Sequence, residues 1–329
     1  MLRLAIILPV FNDWDSFRKL LVELAPALQN LDCSVEIVAV DDGSSEQPPG
    51  SLPLRFPVTR LHILTLTSNM GHQRAIAIGL ASLAGRSDID LVAVMDADGE
   101  DRPSDLEKMI QTATANPGFI VVARRAKRTE GVLFRFFYYA YKAVFWLLTD
   151  HTIDFGNFCV LPFEYVSNVA CRPELWNHFA ATVVRARLPL KKLAVARGVR
   201  YAGQSKMNFV NLVLHGLGAI SVFSEFVFTR ILIASLTVLI ASVLSILVVI
   251  GIRLSTNLAV PGWATNVFGF LVLIGLQAVM LPLSMAFMLL NGRTALQPSP
   301  KDFASKFIGD SRLYTAATEA GEIPPIATT

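Results

Sequence analysis

Between Ile231 and Gly292 the chain carries a single charged residue, Arg253. That arginine divides the stretch into Ile231–Ile252 and a second apolar run within Leu254–Gly292, densest from Val267 to Leu290. The hydrocarbon core of a bilayer takes about 20 residues of helix at ~1.5 Å each, so either run is long enough to cross it. A buried core helix has the same composition, but two such runs side by side favour two spans. The connector, residues 253–265, holds Asn257, Pro261, Gly262 and Trp263, turn formers with one interfacial aromatic. Two spans so joined form a hairpin, which leaves both flanks on one side. Lys206 and Arg230 precede it, and Arg293, Lys301 and Lys306 follow it. The positive-inside rule therefore predicts a multi-pass protein of the inner membrane with both flanks in the cytoplasm.

Composition agrees. The 329 residues are 53% hydrophobic and 17% charged, against about 25% charged in soluble domains, so neither an all-soluble chain nor a mainly disordered one fits. Its length suggests two structural units. Three separated cysteines, Cys33, Cys159 and Cys171, form no CxxC pair. That argues against a disulfide scaffold or zinc module and fits a reducing compartment. The opening run Leu4–Phe11 is short, lacks a basic leader and meets Asn12, Asp13 and Asp15, unlike a targeting signal. Charge is segregated. Residues 1–107 carry 8 basic and 16 acidic side chains, net −8, whereas residues 108–230 carry 16 and 6, net +10. An acidic part followed by a basic part predicts two partners, a cation and an anionic lipid surface or phosphate, with no nucleic acid.

Outside the hairpin, continuous apolar runs of strand length occur at Leu4–Val10, Val35–Val40, Leu61–Leu66, Leu91–Met95 and Phe119–Val122. Helical patterns at Asp15–Gln29, Gly71–Ala84 and Ser104–Asn116 alternate with them. Unbroken apolar strands alternating with helices predict an α/β fold with a mostly parallel, doubly wound sheet. Such sheets bind ligands beyond the carboxyl ends of their strands. Polar residues collect there: Asn12-Asp13, Asp41-Asp42-Gly43-Ser44, Ser68-Asn69, and Asp96-Ala97-Asp98-Gly99-Glu100-Asp101. On an extended backbone Asp96, Asp98 and Glu100 point to one side, where three anions repel unless a cation joins them. Hard oxygen ligands predict Mg2+ or Mn2+. The alternatives are a calcium loop, for which the spacing is wrong, and a solvated acidic turn capping the Ser104 helix, which accounts for Asp101 better than for Asp96 and Asp98. Neither GxGxxG nor GxxxxGK[ST] occurs. His72 opens a helix and reads as a donor-contacting or capping residue rather than a base. Ser44 reads as a turn residue, and Trp14 and Trp176 as packing residues. Gly269 and Gly275 suit close helix packing in the membrane; they do not specify an assembly, and a homo-oligomer is left open.

Four of these segments, Pro9-Val10-Phe11-Asn12-Asp13, Val40-Asp41-Asp42-Gly43-Ser44, Asn69-Met70-Gly71-His72 and Asp96-Ala97-Asp98-Gly99-Glu100-Asp101-Arg102-Pro103, resemble the successive motifs of family-two glycosyltransferases with the GT-A fold. Their order resembles most the polyprenyl-phosphate branch, which contains dolichyl-phosphate mannose synthases and bacterial undecaprenyl-phosphate glucosyltransferases. Arg124–Arg128 is similar to that branch's Arg-rich segment, Asp154-Phe155-Gly156-Asn157-Phe158 to its Asp-x-Gly-Asp-Phe, and Arg200-Tyr201-Ala202-Gly203-Gln204-Ser205-Lys206 to its Arg-x-x-Gly-Glu-Ser-Lys. The chain departs from the pattern at Glu100, Asn157, Cys159 and Gln204, and Asn157 and Cys159 put the transferred sugar in doubt.

The resemblance implies metal-dependent transfer of a single sugar, with inversion, from a UDP- or GDP-sugar to a polyprenyl phosphate. Pro9, Phe11, Asn12, Asp41, Asp42, Asn69, His72, Asp96 and Ala97 would contact the nucleotide-sugar. Asp96, Asp98 and Glu100 would hold the metal, and Asp98 and Arg124 would be catalytic. The expected layout is a cytoplasmic domain (1–205), a juxtamembrane amphipathic helix (206–230), two spans (231–292) and a partly disordered cytoplasmic tail (293–329). Gly131–Leu148 mixes aromatic and basic residues as interfacial helices do, and Asn208–Phe228 suggests a second such helix. Arg124 and Arg128 precede the first, and Arg200, Ser205 and Lys206 precede the second. They are expected to converge on the acceptor phosphate, with anionic headgroups as the alternative ligand. Two other functions compete: a processive polysaccharide synthase, disfavoured by only two spans and no Gln-x-x-Arg-Trp, and a non-catalytic scaffold built on a decayed domain.

Overall fold

The computed structural model describes residues 1–125, 132–202, 209–255, 262–294, 298–315 and 326–327. The chain divides into two units. One comprises Met1–Tyr139, Thr152–Val222 and Pro298–Thr329, and the other Ala140–His151 and Phe223–Gln297.

The first unit is built on one mixed sheet of nine strands. Its centre is β1 (Leu2–Val10), paired in parallel with β2 (Cys33–Asp41) on one side and β4 (Leu91–Val94) on the other. β3 (Val58–Leu66) continues in parallel from β2. β1 is buried from Leu4 to Val10 without polar alternation, as a strand covered on both faces must be. One face is covered by α1 (Trp14–Leu28) and α3 (Pro103–Ala115), the other by α2 (His72–Leu83), α5 (Phe163–Ala170) and α6 (Phe179–Arg185). α1 shows why: Phe17, Leu20, Leu21, Leu24 and Leu28 recur at helical spacing and all are buried. Each such side chain stabilises the fold by about 1.5–3 kcal/mol relative to exposure.

The five expected strands are all present, with four more. β5 (Ile120–Arg125) runs past its apolar part, so that Arg124 and Arg125 end the strand rather than follow it. β6 (Cys159–Pro162), antiparallel, is inserted between β4 and β5. β7 (Leu190–Val195) is an edge strand parallel to β5 and exposes Lys191 and Lys192, which keep the edge soluble. At the opposite side β8 (Ile308–Thr315) lies antiparallel on β3, and β9 (Ile326–Ala327) on β8. The expectation of a mere tail beyond residue 293 is therefore corrected: β8 covers the open edge of β3 and buries Tyr314, whose hydroxyl donates to Pro49 O. Residues 316–325, the rest of that expected tail, lie outside the described residues.

α4 (Val132–Thr149) and α7 (Phe209–Ser221) occupy the two segments read as interfacial, the second of which ends at Ser221 rather than Phe228. The side chains of Phe134, Arg135, Phe136, Phe137 and Tyr138 lie outside the described residues. In the first unit α7 meets the body through His215 and Gly218, and exposes Val210, Leu214 and Leu217.

The second unit consists of α8 (Ser224–Ser255), α9 (Trp263–Thr294) and the end of α4. Both long helices are long and apolar enough to cross a membrane, with mean hydropathies of 2.8 and 2.1. Within this unit Phe145 packs edge-on to Phe223, and Arg230 pairs with Asp150 at 3.5 Å.

Candidate active site

The carboxyl ends of β1, β2 and β4 lie level, because Ile7 pairs with Val94 and Val10 with Asp41. Three loops leave them and are tied together by short polar side chains. Asn12, at φ 48°, donates its backbone N–H to Ser44 Oγ (2.8 Å) and accepts Ser45 N–H on Oδ1 (2.8 Å). Asp41 Oδ1 accepts Ser44 N–H at 3.0 Å. Asp42 accepts Met70 N–H on one oxygen (2.7 Å) and Gly71 N–H on the other (2.9 Å), drawing the Asn69–Gly71 loop onto the end of β2. Gly43 permits this approach: it sits at φ 70°, and a Cβ there would lie 2.7 Å from Asn69 N. Asp41 and Asp42 are buried, and burial raises the Asp42 carboxyl despite its two donors. Both expected nucleotide-binding aspartates thus organise the loops from within. Phe11 and Asn69 are exposed, while Pro9 and Ala97 are buried. Trp14 is a packing residue, donating to Glu46 O and stacked edge-on with Phe17. Ser44 serves the turn, as expected.

After β4 the structure corrects the expected metal trio. Among the described residues no three His, Cys, Asp or Glu side chains gather as a metal site. The extended backbone assumed for Asp96-x-Asp98-x-Glu100 is broken at Gly99, which adopts φ 90°, so the alternation is lost. Glu100 turns to Arg197 (2.7 and 3.0 Å) and Arg125 (3.5 Å). Asp96 and Asp98 remain neighbours. Oδ1 of Asp96 is buried, and its partner is the His72 imidazole, whose Nε2 stands 3.2 Å away. Asp98 accepts Glu100 N–H on Oδ1 (2.9 Å) and meets Arg200 Nη1 on Oδ2 (3.1 Å). Burial and then the Asp96 charge raise the Asp98 carboxyl. A buried carboxylate oxygen held by a single imidazole, beside a second crowded carboxylate, fits Mg2+ or Mn2+, which take one or two carboxylates and complete their shell with water and phosphate. Asp96 and Asp98 are the residues that fit; Glu100 does not.

Asp101 is not the helix cap either. It accepts Asp96 N–H at 3.0 Å and faces Arg125 at 3.3 Å, and burial followed by the Asp96 charge pushes its carboxyl up to about 7. On the other side, Phe179 N–H donates to Gln73 Oε1 (2.7 Å), Gln73 Nε2 to Asn157 Oδ1 (3.1 Å), and Asn157 Nδ2 lies 3.0 Å from His72 Nε2. For His72 burial opposes the proton, but Asp96 outweighs it, so the imidazole is raised and Asp96 lowered. Arg124 reaches Asp154 (3.3 Å), as does Lys192 (2.8 Å). Arg200, expected at the acceptor phosphate, bridges Asp98 (3.1 Å) and Asp13 (2.6 Å). Arg128, Ser205 and Lys206, with Gly203 and Gln204, lie outside the described residues. Arg125, Gln73, Lys192 and Arg197 escaped sequence reasoning. For Lys192 and Arg197 the available signal was their position on and just after β7, a strand too charged to register as one.

Comparison with known proteins adds a family. The family model described as "Glycosyl transferase family 2" matches residues 5–176. An undecaprenyl-phosphate 4-deoxy-4-formamido-L-arabinose transferase of Proteus mirabilis is 26% identical over 64% of this chain and 64% of its own, so the chain spans just under two thirds of that relative. An uncharacterised glycosyltransferase of Synechocystis is 24% identical over 85% of this chain and 88% of its own. Among solved structures, glucosyl-3-phosphoglycerate synthase of Mycobacterium tuberculosis, crystallised with Mn2+, UDP and phosphoglyceric acid, aligns at a TM-score of 0.46 and 11% identity over 68% of this chain and 78% of its own.

Proposed function

Because this chain belongs to glycosyl transferase family 2, we propose that it transfers one sugar from a UDP- or GDP-sugar to a polyprenyl phosphate, undecaprenyl phosphate above all, at the cytoplasmic face of the inner membrane. The observation that carries this reading is the pair of adjacent carboxylates Asp96 and Asp98 at the end of β4, one with a buried oxygen that is met by the His72 imidazole at 3.2 Å. A divalent cation held there would neutralise charge on the departing diphosphate. The chain's own residues do the rest. Asp41 and Asp42 stiffen the loops that frame the nucleotide, and Asp101 holds the Asp96 backbone. A lipid monophosphate is already ionised near neutral pH, so it attacks without surrendering a proton and needs positioning and charge screening. Arg124 and Lys192, which share Asp154, are suited to that work. The relatives' names support the acceptor class. The sugar is not carried over, since Asn157 and Cys159 depart from the branch's pattern.

The deciding experiment incubates the full chain in detergent with undecaprenyl phosphate and radiolabelled UDP- and GDP-sugars. Label extracted as a lipid-linked monosaccharide is the expected product, lost in excess chelator. A water-insoluble polymer would make the protein a processive synthase. No transfer from any donor would make it a scaffold.

A further inference from the structure

The segment 197–202 lies as a strap across the Asp98–Glu100 turn. Gly198 N–H donates to Glu100 O and Tyr201 N–H to Asp98 O, both at 2.8 Å. The approach is as close as backbone allows: a Cβ on Gly198 would lie 2.1 Å from Gly99 O, and one on Gly99 would lie 2.6 Å from the Tyr201 ring. Tyr201 is held further by its hydroxyl on Glu23 and by Lys19, which donates to its carbonyl at 3.2 Å. The strap presents two arginines three residues apart, each to a different carboxylate of the turn. Arg197 takes Glu100, and Arg200 takes Asp98 together with Asp13 from the end of β1. Arg200 is three-quarters covered, and its Nε donates to Ala202 O at 3.0 Å.

We infer that Arg200 is an internal counter-cation, which pairs with Asp98 and gives it up to a divalent ion, so that the guanidinium becomes available to a phosphate only after the ion has bound. This rests on the proposed reading of Asp96 and Asp98 as cation ligands. Asp98 Oδ1 is engaged by Glu100 N–H, and Oδ2 is the oxygen that Arg200 meets. An ion placed on Oδ2 therefore competes with Nη1, a positive charge at 3.1 Å, for that oxygen. The strap's backbone is pinned at residues 198 and 201, so the side chain makes the change. Asp13 keeps hold of Nη2 at 2.6 Å, which tethers the displaced guanidinium beside the turn. A guanidinium is suited to its next role because its fork binds two phosphate oxygens at once. The inference makes binding ordered, with the cation and the diphosphate it accompanies before the acceptor phosphate.

The test is Mn2+ binding to the full-length protein in detergent without substrates, followed by the electron paramagnetic resonance signal of free Mn2+. Arg200→Gln should bind Mn2+ about tenfold more tightly than the unaltered protein, since one positive charge has left the ion's immediate surroundings. Arg200→Lys, which keeps the charge but cannot bridge two carboxylates, should fall between the two. Arg197→Gln should stay within about twofold, because screening confines the effect to the nearest charge. If Arg200→Gln binds no more tightly, or Arg197→Gln gains as much, the counter-cation role is overturned. If Asp98→Asn leaves Mn2+ binding unchanged in the otherwise unaltered protein, the carboxylate is no ligand, and the proposed cation site fails with it.

Discussion

Asp42 divides its two carboxylate oxygens between the N–H groups of Met70 and Gly71, and the loop that begins α2 depends on both. Asp42→Ala leaves two donors short of a partner in a buried place, at a cost of about 1–3 kcal/mol each. The variant should unfold at lower denaturant concentration, by about 2–6 kcal/mol in total, with nucleotide affinity falling as the loop loosens; unfolding followed by tryptophan fluorescence measures the first and titration with UDP the second. An unchanged midpoint would show that the loop stands without Asp42. Asp96 and Asp98 stood out in the sequence because polar residues collect at the ends of four apolar strands, and the structure sets the two side by side after β4. Glu100 was misread because the period-two argument needs extended backbone, and the positive φ of Gly99 cannot be seen in a string of letters. Arg197 and Lys192 were invisible for another reason: their partners Glu100 and Asp154 are far away along the chain, and only the sheet brings them near.

Helix α6 begins at an unusual cap. His178 Nδ1 accepts Ala181 N–H at 3.2 Å, while its Nε2 lies 3.1 Å from Nε2 of His215 on α7. Burial, then the neighbouring His215, pushes His178 down to about 3. Its folded value thus lies below the ordinary 6.5, so stability is complete above 6.5 and is lost as the pH falls from there towards 3, by about 1.4 kcal/mol per unit. Unfolding midpoints measured between pH 7.5 and 5 should fall accordingly. His178→Asn keeps a good capping oxygen and removes the titrating ring, so its midpoints should show a flatter slope. An equal slope would exclude His178 as its source. At this scale the sequence was informative wherever packing is amphipathic: α1, α2 and α3 lie within one residue of their expected bounds. It was silent on β7, at one edge of the sheet, and β8, next to the other, whose Lys191, Lys192, Asp310, Ser311 and Arg312 erase the apolar signature of a strand.

At the level of the whole molecule, α8 and α9 are an insertion. The chain leaves the first unit after Val222 and is back in it by Pro298, where it goes on to pair β8 with β3. Two crossings return a chain to the side it left, and one sheet cannot be split by a bilayer. Reporter tags before Leu2 and after Thr315 should therefore both be reached only after the membrane is permeabilised, while a cysteine placed at Gly262 is labelled from outside intact cells. A tag after Thr315 that is reached from outside would refute the hairpin. The same pairing has a consequence for biosynthesis. Leu66 ends β3, and its partner strand follows only after some 240 further residues, both long helices among them. At about 5–20 residues per second, translation separates the two strands by roughly 10–50 s. For that interval β3 is an open edge able to recruit any passing strand. A ribosome that stalls within α9 would release a sheet lacking its cover, so chains cut short there should aggregate where the full chain does not.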